Sequence, residues 1–154
     1  MKCAPQLLIV YHSQTGNTER LAIAVEEGAR DIAGIEVQRL PASEVTAVDL
    51  KKCRILVICS PEYFGYMSGA VKELFDRTYE EIREFTMGKP YAVVISAGND
   101  GTGALSSIER IAAGYRFRKI QEPIIARGAI LLPMLDKCRE LGKTLAAGID
   151  FGIY

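Results

Sequence analysis

The sequence has little of several residue types, and each shortage narrows what the protein can do. One histidine and four cysteines, none of them in a Cys-x-x-Cys pair, leave too few ligands for a Cys/His zinc site. Nineteen basic residues balance nineteen acidic ones, so no net field attracts nucleic acid or an anionic membrane surface. We therefore expect no metal site and neither a nucleic-acid nor a membrane partner.

Long apolar runs are also missing. The longest, such as residues 55–59 and 92–95, are far too short to span a bilayer, and the first ten residues lack the pattern of a secretory signal. These absences predict a cytoplasmic protein, and 154 residues with 49% apolar content fit one domain spanning residues 1–154. The cysteines are predicted to be structural thiols without a redox role: Cys3, Cys53, Cys59 and Cys138.

Short apolar segments alternate with segments whose apolar residues repeat at helical spacing. Strands are predicted at residues 7–11, 35–40, 54–59, 91–96 and 119–126, the last bent, bulged or at an edge because of Pro123. Helices are predicted from residue 18 to the stop at Gly34 and over residues 67–85, 102–115 and 135–149, while residues 43–52 fit a short helix or a turn. This alternation predicts an α/β fold of three α/β/α layers, with a doubly wound five-stranded parallel sheet in the order 2-1-3-4-5.

Ligands of such sheets bind outside the carboxyl ends of the strands, where the strand order reverses. This rule directs attention to three loops, which follow Tyr11, Cys59 and Ser96.

The first loop combines small polar residues with one glycine: Ser13, Gln14, Thr15, Gly16, Asn17 and Thr18. Free backbone N–H groups and the positive end of a helix dipole converge there, which suits a dianionic phosphate monoester. No lysine follows the glycine, so this is not the phosphate loop of nucleotide triphosphatases. The alternative is an ordinary helix N-cap, but one cap needs one such residue and the loop has a surplus of them.

Residues 9–25, IVYHSQTGNTERLAIAV, resemble the phosphate loop of the flavodoxins, a family of FMN-binding electron-transfer proteins. The resemblance implies a flavodoxin-like fold, FMN as the cofactor and a phosphate held by the first loop. His12 occupies a position that this pattern leaves undefined, so we expect a surface or packing role for it.

The second loop is rich in aromatic residues where a planar ligand would lie: Ser60, Pro61, Glu62, Tyr63, Phe64, Gly65, Tyr66 and Met67. An aromatic side chain there could stack on a flavin, or the cluster could merely close the edge of the core. The SPxYFGxMSG arrangement resembles the flavodoxin-like NAD(P)H-dependent flavin and quinone reductases. The resemblance to flavodoxins also implies that the peptide at Gly65 flips to hydrogen-bond N5 of the reduced flavin.

The third loop allows close backbone approach to a ring edge: Ala97, Gly98, Asn99, Asp100 and Gly101. It also fits an ordinary Gly/Asn/Asp turn, and if Asp100 lay near the ring its charge would lower the flavin's redox potential. The loop lacks the second stacking aromatic of many flavodoxins, so one flavin face would be open to substrate or covered by a neighbouring subunit. Gly101-x-Gly103 is only a weak dinucleotide signal, because Ser106 stands where the third glycine belongs.

The leading functional hypothesis is an FMN-binding, flavodoxin-like protein that transfers electrons through its flavin to redox partner proteins. Its neutral charge is unlike that of strongly acidic carriers, and the alternative is an NAD(P)H-dependent FMN or quinone oxidoreductase. A non-redox binding module on the same fold is a second alternative. The flavin itself would carry the electrons, so no catalytic residue is assigned. A monomer and a homodimer both stay open, as does the role of Phe151 and Tyr154 near the terminus.

Overall fold

The computed structural model describes residues 6–154, so Cys3 lies outside the described residues. Twelve strands and α-helices follow one another along this part of the chain: β1 (Leu7–Tyr11), α1 (Asn17–Arg30), β2 (Val37–Pro41), α2 (Ala47–Lys52), β3 (Ile55–Tyr63), β4 (Tyr66–Met67), α3 (Gly69–Ile82), β5 (Pro90–Ala97), α4 (Thr102–Gly114), β6 (Arg118–Lys119), β7 (Ile124–Arg127) and α5 (Leu132–Asp150). Short 3₁₀ helices cover Ala42–Glu44 and Arg83–Phe85.

The parallel strands lie in the order β2-β1-β3-β5-β6, and β7 also pairs with β5. This arrangement confirms the predicted doubly wound order. The predicted count of five strands needs correction, because the fifth strand is divided into β6 and β7 and the antiparallel β4 is added beside β3. The break between β6 and β7 contains Pro123, which has no N–H to donate to the neighbouring strand.

Helices cover both faces of the sheet and bury side chains that alternate along the strands. Leu8 and Val10 of β1 belong to a core formed with α2, α3 and α4, whereas Leu7 and Ile9 belong to a second core formed with α1 and α5. β5 is buried along its whole length, and β1 and β3 are buried except at Tyr11 and at Glu62 and Tyr63, as their apolar runs predict. The three-layer architecture is therefore confirmed.

Several element boundaries differ from the predictions. Strand β3 continues through Tyr63, four residues beyond its predicted end, so the first half of the second predicted loop is a strand. Helix α5 begins at Leu132, before its predicted start at residue 135. Pro133 fits the first turn of the helix because its missing N–H would have no partner there. The ambiguous residues 43–52 contain α2, whose start is fixed by a reciprocal capping box between Thr46 and Asp49.

The cysteines of the described residues are free, buried thiols: Cys53, Cys59 and Cys138. Burial raises the pKa of Cys53 to about 11, because the charged thiolate is poorly solvated in the core. Within residues 6–154, no helix has both the length and the apolar character needed to cross a membrane.

Candidate functional site

A cleft of about 270 Å³ opens at the carboxyl edge of the sheet, where all three predicted loops meet. The first loop and the start of α1 contribute Ser13, Gln14, Thr15, Asn17 and Thr18. The end of β3 contributes Pro61, Glu62 and Tyr63, and the end of β5 with the third loop contributes Ser96, Ala97 and Gly98. Gly128, which follows β7, completes the lining.

The first loop leaves the start of α1 without a side-chain cap. Gly16 is the N-cap residue, adopts a positive φ of 98° and has no side chain to cover the first turn. Its own N–H donates to Ser13 Oγ at 3.0 Å, which folds the loop back on itself. The N–H groups of the first helical turn therefore face the cleft region with the positive end of the helix dipole. This arrangement suits an anion.

Thr18 and Ser96 join the start of α1 to the end of β5 beside the cleft. Their hydroxyl oxygens are 3.0 Å apart, and the two residues are only 1% and 8% exposed. Both residues line the cleft. A hydrogen bond between buried hydroxyls fixes the distance between the phosphate-loop helix and the end of β5.

The second predicted loop is a tight β-hairpin. β3 and β4 pair through Glu62 with Met67 and through Tyr63 with Tyr66, and the turn consists of Phe64 and Gly65. Both turn residues have positive φ, 53° and 69°, as in a type I′ turn. Neither belongs to the cleft lining, and the Phe64 side chain is fully exposed.

The pair Gly101-x-Gly103 has a packing role against this hairpin. A Cβ atom at Gly103 would lie 2.0 Å from the backbone oxygen of Gly65, so only a glycine lets the turn approach α4. At Gly101, where φ is 74°, a Cβ atom would lie 2.6 Å from a methyl group of Ile125. Both glycines are thus explained without a dinucleotide.

Tyr63 is the aromatic residue of the hairpin that reaches the cleft. Its ring lies edge-on to His12, with centroids 6.2 Å apart and planes at 85°. His12 therefore makes a packing contact beside the cleft, in agreement with the surface or packing role expected for it.

The other polar residues at the end of β3 are held by neighbouring helices. Glu62 lines the cleft, and its Oε2 accepts a hydrogen bond from the backbone N–H of Ala104 at 3.0 Å, in the first turn of α4. Ser60 is fully buried and lies outside the lining. Its hydroxyl donates to the backbone oxygen of Pro61 and accepts from the N–H of Ser68, the N-cap residue of α3.

The third loop divides between the cleft and α4. Ala97 and Gly98 line the cleft, whereas Asn99, Asp100 and Gly101 lie outside its lining. Asp100 Oδ1 accepts hydrogen bonds from the backbone N–H and the hydroxyl of Thr102, at 3.0 and 2.9 Å. These bonds lower the pKa of Asp100, with a further contribution from Arg127. The negative charge of Asp100 therefore stabilises the start of α4.

Sequence reasoning missed two lining residues, Ser96 and Gly128. Ser96 is a polar residue at the end of the otherwise apolar strand YAVVIS, which was a usable signal. Gly128 follows β7, whose end was hard to predict because Pro123 interrupts the apolar segment. The carboxyl end of this strand was therefore not among the predicted site loops. Treating the fourth strand end like the other three would have identified it.

The architecture defines a flavodoxin-like α/β protein, and the cleft lies at the switch point of its sheet. A family model described as NADPH-dependent FMN reductase matches residues 41–126, more than half of the chain. The chain therefore belongs to this flavodoxin-like, FMN-binding family.

The individual relatives include flavodoxins and NAD(P)H dehydrogenases (quinone). A flavodoxin of Aquifex aeolicus is 33% identical over 98 residues, which cover 64% of this chain and 53% of that protein. An NAD(P)H dehydrogenase (quinone) of Acidithiobacillus ferrooxidans is 29% identical over 119 residues, covering 64% of this chain and 60% of that protein. The chain thus spans less than two thirds of the length of these curated relatives.

Among solved structures, a flavodoxin from the domain Archaea superposes with a TM-score of 0.80 at 22% identity, covering 94% of this chain and 98% of that one. At this identity the likeness shows the fold alone.

Proposed function

We propose that the chain binds FMN in this cleft and acts as an oxidoreductase that takes reducing equivalents from NADPH. The phosphate would be held by the first loop and by the first turn of α1, with donors from Ser13, Thr15, Asn17 and Thr18. The flavin ring would lie between Tyr63 and the backbone of Ala97 and Gly98. Bound FMN would supply the hydride and electron transfer, and the chain's own residues would bind and orient it.

The donor set fits a phosphate monoester. The lining residues of the first loop offer hydroxyl, amide and backbone N–H groups, and the helix dipole favours negative charge there. Glu62 supplies a carboxylate to the lining, and it accepts a hydrogen bond from the start of α4, which offsets part of its repulsion of an anion.

One observation carries the preference for a reductase over a carrier: within residues 6–154, Tyr63 is the single aromatic residue that lines the cleft. A ring stacked on Tyr63 would meet only the small residues of the third loop and Gly128 around its remaining edges. A planar nicotinamide could then reach the ring. The name of the matching family supports the same direction.

The test is anaerobic stopped-flow mixing of the FMN-loaded protein with NADPH, followed at the visible absorbance of oxidised flavin. We expect full bleaching by NADPH within seconds. Adding a quinone should then restore the absorbance of oxidised flavin, because the quinone accepts the two electrons and is reduced to the hydroquinone. No bleaching by NADPH or NADH, despite bound flavin, would contradict the reductase proposal.

An electron carrier is the second candidate, supported by the similarity to curated flavodoxins. Photoreduction distinguishes it. A carrier would accumulate a stable half-reduced flavin with its long-wavelength absorbance, whereas a two-electron reductase would pass directly from oxidised to fully reduced spectra.

A further inference from the structure

Ser96 lies opposite the first loop, and within residues 6–154 the hydrogen-bond partner of its hydroxyl is Thr18. The pair is a buried contact between residues 78 positions apart, beside the cleft. Ser96 belongs to β5 and Thr18 to the first turn of α1, so two different layers of the fold fix their separation.

The proton count of the pair leaves one donor unused. Each hydroxyl can donate one hydrogen bond and accept two. When one hydroxyl donates to the other, the accepting hydroxyl keeps its own proton, for which no acceptor is found among residues 6–154. Because both residues line the cleft, a ligand oxygen there can accept this remaining proton.

The position of Thr18 decides which hydroxyl faces the ligand. Thr18 lies in the uncapped first turn of α1, where backbone N–H groups and the helix dipole favour a negatively charged oxygen. Ser96 comes from a strand end without such a dipole. The favoured arrangement therefore has Ser96 donating to Thr18 and Thr18 donating to the anion.

We propose that Ser96 is a positioning residue for phosphate binding: its hydroxyl orients that of Thr18 and strengthens its donation to the ligand phosphate. This inference rests on the proposed FMN site. A chain of two hydroxyls polarises the terminal donor, and a fixed hydroxyl rotor loses less entropy when the ligand binds.

The experiment compares FMN with riboflavin, which has the same ring and no phosphate. Dissociation constants for both ligands are measured by flavin fluorescence with the wild-type chain and with Ser96→Ala. We expect Ser96→Ala to weaken FMN binding about threefold to tenfold, the range for one lost hydrogen bond, and to leave riboflavin binding unchanged. Ser96→Thr keeps the hydroxyl and is expected to keep the wild-type ratio.

Two further variants make the comparison decisive. Ser106→Ala removes an exposed hydroxyl of α4 away from the cleft lining and should bind both ligands as the wild type does. Ser96→Cys is nearly isosteric and has a weak donor, so it carries the test if Ser96→Ala does not fold. Circular dichroism verifies the folding of each variant.

An unchanged FMN-to-riboflavin ratio in Ser96→Ala and Ser96→Cys would overturn the inference. An equal loss for both ligands would overturn it as well, because Ser96 would then only shape the cleft. A wild-type chain that binds neither ligand would instead refute the proposed function, and this inference with it.

Discussion

At the scale of single residues, Tyr63 carries the largest expected contribution to ring binding. It is the aromatic residue of the hairpin that lines the cleft, whereas Tyr66, three residues later, lies outside the lining. Stacking between aromatic rings adds about 1 kcal/mol beyond the burial of area. The hairpin therefore offers a matched pair of tyrosines, one in the site and one beside it.

Replacing Tyr63 by leucine should raise the dissociation constant of FMN about threefold to tenfold, because the stacking contribution is lost and apolar contact remains. Fluorescence titration measures the change. Tyr63→Phe retains the ring and should bind nearly as the wild type does, and Tyr66→Leu is the control outside the cleft. Equal effects of the Tyr63 and Tyr66 substitutions to leucine would contradict this role.

The backbone conformation at position 64 is unfavourable for phenylalanine. Its φ of 53° is unfavourable for a residue with a bulky side chain, and its ring is fully exposed. Asparagine tolerates this backbone conformation and is preferred in type I′ turns. Phe64→Asn should therefore increase the free energy of unfolding by about 1 kcal/mol, as measured by urea titration. Phe64→Leu retains the strain and should give no gain; a comparable gain would show that strain is not the cause.

At the scale of secondary-structure elements, α1 and α5 pack in direct backbone contact. A Cβ atom at Gly28 of α1 would lie 1.8 Å from the backbone oxygen of Arg139, and one at Gly142 of α5 would lie 1.9 Å from that of Val25. The two glycines thus set the separation of these helices. Since α1 also presents the phosphate loop, this packing positions the site.

Gly142→Ala should lower the free energy of unfolding by about 3 kcal/mol, because the added methyl group must push the helices apart. Gly114→Ala is the control: it ends α4, and within the described residues nothing lies within 4 Å of its added Cβ atom. It should be neutral or stabilise by up to about 1 kcal/mol. Urea titrations of both variants check this. A Gly142→Ala variant as stable as Gly114→Ala would refute the close packing.

Elements with strong periodicity could be predicted from the sequence, and those defined by tertiary pairing could not. β1 was predicted with its observed bounds because its residues are apolar throughout and polar residues follow it. The β3–β4 hairpin was missed because Ser60, Pro61 and Glu62 are turn-forming or polar residues, and only pairing with β4 makes them a strand. In the site, the meeting of three loops followed from topology. The separation of Tyr63 from Phe64 did not, because it depends on the pairing with β4, which ends β3 at Tyr63 and places Phe64 in the turn.

At the scale of the whole molecule, buried thiol and phenol groups make the folded state less stable as the pH rises into the alkaline range. Burial raises the pKa of Cys53 to about 11 and that of Cys138 and Tyr115 to about 12, from ordinary values of 9.0 for a thiol and 10.0 for a phenol. The unfolded chain therefore releases these protons at lower pH than the folded chain does. Their contribution to stability is complete below pH 9 and is lost as the pH rises toward 12.

The free energy of unfolding should consequently fall between pH 8 and pH 10, by about 1 kcal/mol for each buried thiol at pH 10. Urea titrations at the two pH values measure this change. Cys53→Ala removes one of the thiols and should reduce the difference. A free energy that is equal at both pH values would contradict the burial of these groups.

The proposed function depends above all on the uncapped start of α1 and its polar loop, which we expect to bind the phosphate of FMN. Parallel titrations of the wild-type apoprotein with FMN and with riboflavin, followed by flavin fluorescence, test it most directly. We expect one site per chain and at least about tenfold tighter binding of FMN, because charge-assisted hydrogen bonds to the phosphate are absent with riboflavin. Equal affinities for the two flavins, or binding of neither, would contradict it.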